Sequence, residues 1–171
     1  METTRLDDLE DEALDGIRDA IGTWAAKQPA RPVIANLVLY LSEGICEQAY
    51  CNVGGIDATS DETVAATVAG RSDLAASGRR LQKRACFDLQ ALPALWPTSN
   101  DFRTFMRFAH RICARLEATR ELGEAVDVAP TFVAVPLQHD DEDIVDPKLR
   151  KLARQWLKQP AQKYMQSFGK K

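Results

Sequence analysis

Two histidines and four cysteines are the residues of this 171-residue chain that could hold a metal ion. His110 and Cys113 lie three positions apart, so both side chains could reach one ion from the same helix. A structural zinc site needs four such ligands, and a catalytic zinc site needs three with a water molecule. Cys86 could join them, but the chain has no Cys-x-x-Cys pair. We therefore interpret His110 as a histidine at the edge of the core beside a buried thiol, and we expect no metal site.

Carboxylates are clustered at two places where they could bind a divalent cation or transfer protons. His139 is followed by the acidic run Asp140–Asp143, which lacks the alternating ligands and central glycine of an EF-hand loop. Glu43 and Glu47 are four positions apart, which is the spacing of an exposed pair on one helix face. The chain has no Gly-x-Ser-x-Gly, Gly-x-Gly-x-x-Gly or Walker motif. The sequence therefore predicts a protein that is not an enzyme and that binds no cofactor.

The arginines are arranged in a way that suits a phosphate backbone. Four of them step by four residues along one predicted helix, although like charges at this spacing cost about 0.2–0.5 kcal/mol per pair. Guanidinium groups form bidentate bonds to phosphate and stack on bases, and phosphate contacts give affinity without sequence preference. Basic residues recur on the preceding predicted helix and again from Lys148 to Lys158. The predicted nucleic-acid-binding residues are Arg79, Arg80, Lys83, Arg84, Arg103, Arg107, Arg111, Arg115, Lys151 and Arg154.

The formal net charge of −3 conceals four blocks of alternating sign. Residues 1–62 hold 4 basic and 13 acidic side chains, and residues 63–120 hold 10 basic and 4 acidic ones. Residues 121–147 hold 8 acidic side chains and no basic one, whereas residues 148–171 hold 8 basic side chains and no acidic one. The net charges of the blocks are therefore −9, +6, −8 and +8. Such segregation indicates an interaction surface or an internal pairing of the blocks.

Two functional hypotheses follow from these blocks. In the first, the protein is a non-enzymatic helical accessory subunit whose basic helix faces contact a nucleic-acid backbone within a larger protein or ribonucleoprotein complex. In the second, it is a protein-interaction module (a regulator, chaperone or inhibitor) that docks on a partner or a second copy without nucleic acid. Two structural alternatives stay open. The basic faces could be merely solvated, or the acidic first helix or the segment Glu121–Asp146 could fold back on the arginines as an internal counter-charge.

The spacing of apolar residues predicts that helices position these side chains. The segment from Pro32 to Tyr50 is interpreted as the central, most buried helix, with a buried strand as the alternative because short apolar runs fit both. Pro130 and Pro136 favour an extended arm or edge strand at residues 126–137. The six predicted helical segments cover residues 6–27, 32–50, 59–69, 72–92, 100–122 and 146–159.

The predicted fold class is all-α, a single-domain bundle of five to six helices over residues 1–159 with the extended arm at 126–137. Residues 160–171 are predicted to form a basic C-terminal tail, either a short helix or disordered. The acidic N-terminus lacks the features of a secretory signal, and the nine apolar residues Val33–Leu41 are too few to span a bilayer as a helix. We therefore expect a cytoplasmic protein with reduced cysteines and no membrane partner.

Overall fold

The computed structural model describes residues 2–41, 49–54, 85–88, 102–138 and 146–169, and these form a mixed α/β structure. Because strands are present, the predicted all-α bundle is wrong. The helices of the described residues are α1 (Glu2–Ala25), α2 (Phe102–Thr119), α3 (Pro147–Gln155) and α4 (Ala161–Gln166). The strands are β1 (Val33–Leu41), β2 (Ala49–Gly54), β3 (Ala85–Asp88) and β4 (Asp127–Gln138).

The four strands form one mixed sheet in the order β3-β2-β1-β4. β1 pairs with β2 in antiparallel orientation, and β2 pairs with β3 in the same way. β1 and β4 are parallel, with Leu37 opposite Ala134 in the register. The helix predicted over residues 72–92 is therefore also wrong in part, because residues 85–88 of it are β3. The helix predicted at 59–69 lies outside the described residues.

The apolar run that was predicted as the central helix is instead a central strand, β1. Leu37 and Leu39 on one face of the strand are fully buried. Asn36 on the opposite face is only 3% exposed. A strand that is covered on both faces has a continuous apolar sequence and not an alternating one, so its periodicity does not distinguish it from a buried helix. The strand alternative was the correct one.

The proline-containing stretch forms β4, the edge strand next to β1 in the described sheet, and not an arm on a bundle. Its pairing jumps from Val128 opposite Ile34 to Val133 opposite Asn36, so residues 129–132 bulge out of the parallel ladder. The guanidinium group of Arg120 donates hydrogen bonds to the carbonyls of Val128, Ala129 and Pro130. It thereby satisfies backbone groups that the bulge removes from the sheet.

α1 and α2 share one apolar core with the inner face of the sheet. Their positions agree with the helices predicted at 6–27 and 100–122. The core residues from these elements include Leu14, Ile17, Ile21, Ile112, Leu116, Leu37 and Leu39. α2 ends where Arg120 adopts a left-handed backbone conformation, with φ of 57°. This sharp ending directs the chain into the loop before β4.

The C-terminal segment continues the packed structure through two short helices. Asp146 caps α3, since its carboxylate accepts hydrogen bonds from the backbone N–H groups of Lys148 (2.9 Å) and Leu149 (3.1 Å). This agrees with the predicted helix start at Asp146 and Pro147. After Pro160 the sequence allows either a short helix or a disordered tail. The chain forms the short helix α4 there, and Tyr164 in it is fully buried. None of the described helices is both long enough and apolar enough to cross a membrane.

Candidate nucleic-acid interface

The arginine row on α2 does not form a continuous solvent-facing surface, because further elements cover part of the helix on the side away from the sheet. Arg103 is exposed, Arg107 is half-buried, and Arg111 has only 5% of its side chain exposed. Arg115 is half-exposed. The face that carries this row packs against α1, α3 and α4, and so the arginines connect elements of the same chain.

A buried carboxylate on α1 neutralises two of these arginines. Glu10 is completely buried, and its Oε2 lies 2.6 Å from Nε of Arg111. Its Oε1 lies 3.0 Å from Nη1 of Arg115, which also contacts Asp11 at 2.7 Å. A buried carboxylate is stable only when it is paired and hydrogen-bonded. Arg111 and Arg115 are therefore paired with carboxylates of the acidic first helix. This internal counter-charge is one of the alternatives that the sequence left open.

Arg111 also holds the end of α3 in place. Its Nη1 donates to the carbonyl of Trp156 at 3.0 Å, and its Nη2 donates to the carbonyl of Gln159 at 2.8 Å. Trp156 is the C-cap residue of α3, and Gln159 lies in the turn after it. A cation at this end of the helix also interacts favourably with the helix dipole. One guanidinium group thus joins α1, α2 and the turn after α3.

Arg107 and Tyr164 fasten α4 and the residues after it to α2. The guanidinium carbon of Arg107 lies 4.3 Å from the centre of the Phe168 ring, which is the geometry of a cation–π contact. The hydroxyl of Tyr164 donates to the backbone carbonyl of Arg107 at 2.8 Å. On the other side, Asp7 of α1 accepts a hydrogen bond from the backbone N–H of Ala161 at 2.7 Å. Acidic and basic residues of the first two helices therefore position α4.

A second carboxylate, Glu117 on α2, binds α3 and the edge of the sheet. Its Oε1 lies 2.6 Å from Nη2 of Arg150, and its Oε2 lies 2.7 Å from Nη2 of Arg154. It also accepts a hydrogen bond from the backbone N–H of Ala134 on β4 at 3.0 Å. Among the predicted contact residues, Arg154 thus has an internal partner, although about half of its side chain stays exposed.

The segment Glu121–Asp146 does not supply the counter-charge of the α2 row in the part of it that is described. Glu121 lies 3.6 Å from Arg18 of α1. Asp127 lies 2.9 Å from Arg31, just before β1. Its carboxylates therefore contact the N-terminal part of the chain, which sequence order alone does not indicate.

His110 is buried on α2, as expected for a histidine beside a buried thiol. Burial lowers its pKa to about 4; the nearby Asp146 carboxylate opposes the shift and the Arg150 charge adds to it. His110 is therefore neutral at pH 7. Cys113 is buried as well, and the described residues contain no group of three side chains that could hold a metal ion.

Several candidates from the sequence lie outside the described residues, and their positions add nothing to the site. These are Arg79, Arg80, Lys83 and Arg84 of the basic set, together with Glu43, Glu47, His139 and Asp140–Asp143. Cys86 lies in β3, opposite Asn52 in the register.

The C-terminal segment contributes four exposed lysines to the described structure. Lys148, Lys151 and Gln155 lie on the side of α3 opposite the buried Ala153. Lys158 and Lys163 follow, are also exposed, and form no ion pair with any described carboxylate. We call the surface of Lys148, Lys151, Lys158 and Lys163 the C-terminal basic face.

Lys151 is the only residue of the C-terminal basic face that is among the predicted contact residues. Lys148 and Lys158 were part of the basic pattern after Pro147, and Lys163 was missed. For Lys148 and Lys151 the signal is their position on α3 opposite the buried Ala153. Comparison with models of known protein families, with curated proteins and with solved structures finds no match to this chain.

Proposed function

We propose that this protein is a non-enzymatic accessory subunit that contacts a nucleic-acid backbone through the C-terminal basic face, as part of a larger nucleoprotein complex in the cytoplasm. The observation that carries the proposal is the exposure of four lysines within a block, residues 148–171, that contains no acidic residue. The proposal moves the contact surface from the arginines of α2 to the lysines of α3 and α4.

Lysine suits a backbone contact that is independent of sequence. Its ammonium group is a compact, strongly hydrated point charge, and charge neutralisation of phosphates gives affinity without reading bases. The nine residues of α3 extend about 13 Å at 1.5 Å per residue. Phosphates of one duplex strand follow each other at about 3.4 Å along the axis, so α3 covers about four of them. Lys148 and Lys151 lie on α3, and Lys158 and Lys163 follow it along the chain.

The salt dependence of binding tests this proposal. Fluorescence anisotropy with a labelled oligonucleotide of mixed sequence, titrated in increasing KCl, gives the slope of log K against log salt. Four neutralised phosphates predict a slope of about −3.6 for duplex DNA and about −2.8 for a single strand. The variant Lys148→Glu/Lys151→Glu/Lys158→Glu should lose binding. Lys27→Glu, which reverses an exposed lysine outside this face, should bind as the wild type does.

Two results would count against nucleic-acid binding. One is the absence of any bound oligonucleotide at low salt, and the other is equal affinity for wild type and the triple variant. If the purified protein carries no nucleic acid by its 260/280 nm ratio but the triple variant loses a co-purifying protein, the protein-interaction module replaces the proposal.

A further inference from the structure

The outer face of α1 carries four exposed carboxylates in a row. Asp8, Glu12, Asp15 and Asp19 follow each other at steps of four, three and four residues, opposite the buried residues of the helix. Asp15 pairs with Arg18 at 3.0 Å. The other three form no ion pair within the described residues. Since like charges at this spacing repel each other, a helix face of this kind gains from a cationic partner. We call it the acidic face of α1.

The acidic face of α1 and the C-terminal basic face carry opposite charges, and both are exposed. From Asp8 to Asp19 the helix rises about 16 Å, and α3 with nine residues is about 13 Å long. The carboxylates of the acidic face lie three to four positions apart, and the lysines of the basic face lie three, seven and five positions apart. No ion pair joins the two faces within the described residues, so neither face neutralises the other in the same molecule.

We propose that the C-terminal basic face of one copy docks on the acidic face of α1 in a second copy. Charge complementarity selects this occupant, because the same chain presents both partners of the pair. The docking and nucleic-acid binding then use the same lysines, so that nucleic acid displaces the second copy. The competition rests on the proposed function, whereas the docking itself does not.

Exposed ion pairs are weak and are screened by salt, so the association should appear at low ionic strength only. The Debye length is about 30 Å at 0.01 M salt and about 3 Å at 1 M. Sedimentation velocity of nuclease-treated protein is expected to give a concentration-dependent shift above the monomer mass of 19.0 kDa at low salt. The shift should be lost at high salt.

Charge-reversed variants test which faces make the contact. Asp8→Lys/Glu12→Lys/Asp19→Lys removes the acidic face, and Lys148→Glu/Lys151→Glu/Lys158→Glu removes the basic one. Each variant alone should stay monomeric at low salt, and an equal mixture of the two should associate, because each supplies the face that the other now lacks. Lys27→Glu should associate as the wild type does. Circular dichroism on each variant confirms that it is folded.

The outcomes separate this proposal from the proposed function. A wild type that remains monomeric at low salt, or a mixture of folded variants that does not associate, overturns the docking. Oligonucleotide binding is measured separately on the acidic-face variant, which keeps all of its lysines. If that variant is monomeric but binds the oligonucleotide at least as tightly as the wild type, both proposals hold. If it is monomeric and binds none, the docking holds and nucleic-acid binding fails.

Discussion

The buried carboxylate of Glu10 should be among the residues on which the stability of this fold depends most. Its two oxygens contact Arg111 at 2.6 Å and Arg115 at 3.0 Å, and its side chain is completely buried. Glu10→Leu leaves the Arg111 guanidinium in the interior without its anion. Removal of one partner of a buried ion pair costs about 3–5 kcal/mol. For a urea m-value of about 2 kcal/mol/M, the midpoint of unfolding should fall by about 1.5–2.5 M.

A double-mutant cycle separates the pair from the rest of the packing. Glu10→Leu and Arg111→Met are combined, and urea unfolding is followed by circular dichroism. An apolar pair of similar volume often restores the stability lost by a single deletion, so the double variant should be more stable than the sum of the two losses predicts. Recovery should be partial, because Arg111 also donates to the carbonyls of Trp156 and Gln159, and hydrogen bonds from a charged group contribute about 1.5–3 kcal/mol each.

Glu12→Leu is the matched control, since Glu12 is exposed on the same helix, and surface changes of this kind stay within about 0.5 kcal/mol. The reasoning is refuted if Glu10→Leu unfolds within about 1 kcal/mol of the wild type, which is below the range for breaking a buried pair. It is also refuted if the two single losses add without coupling.

Three further predictions concern residues around this network. The pKa of His110 falls from 6.5 to about 4 in the folded protein, so the unfolded state takes up a proton first as pH decreases. The stability that neutral His110 contributes above pH 6.5 is lost between pH 6.5 and 4, and the loss is about 3 kcal/mol at most. Urea unfolding midpoints measured across this range should fall in the wild type and change little in His110→Gln. Glu117→Gln should destabilise by about 1–3 kcal/mol, measured by the same unfolding curves, because Arg150 and Arg154 lose their anion; an unchanged midpoint would contradict the role of Glu117. Asp146→Ala removes the cap of α3 and should lower stability by about 1 kcal/mol. Lys148→Ala, two positions further on, keeps the backbone N–H that the cap binds and should not.

The elements that the sequence predicts correctly are those whose boundaries have local causes. α1 has an amphipathic period of its own, and α3 begins at an Asp-Pro pair that caps it. The sequence predicts a helix where β1 lies, because burial on both faces removes the alternation of apolar and polar residues that identifies a strand. β3 lies within a segment with helical spacing, and its pairing partner is 36 residues away, since Cys51 is opposite Phe87. Long-range pairing of this kind is invisible in a local pattern.

The arginine row was misread for a related reason, although one residue carried a usable signal. The sequence shows four arginines without carboxylates between them, but the carboxylate that pairs with Arg111 is 101 positions away on α1. Glu10 precedes Ala13, Leu14 and Ile17 by three, four and seven positions, which places it on the buried stripe of α1. A carboxylate on a buried stripe requires a cation inside the fold. Glu10 therefore predicts that some of the arginines face inward.

Arginines and lysines differ in their surroundings in this structure. Six arginines of the described residues pair with carboxylates of the same chain: Arg18, Arg31, Arg111, Arg115, Arg150 and Arg154. The described lysines, by contrast, are all exposed. The division follows from chemistry, because the planar, weakly hydrated guanidinium group suits buried bidentate contacts and the ammonium group stays in water. Net charge by block counts both kinds equally, so it overstates the basic surface of the described residues 102–120. The proposed contact surface, the C-terminal basic face, therefore consists of lysines.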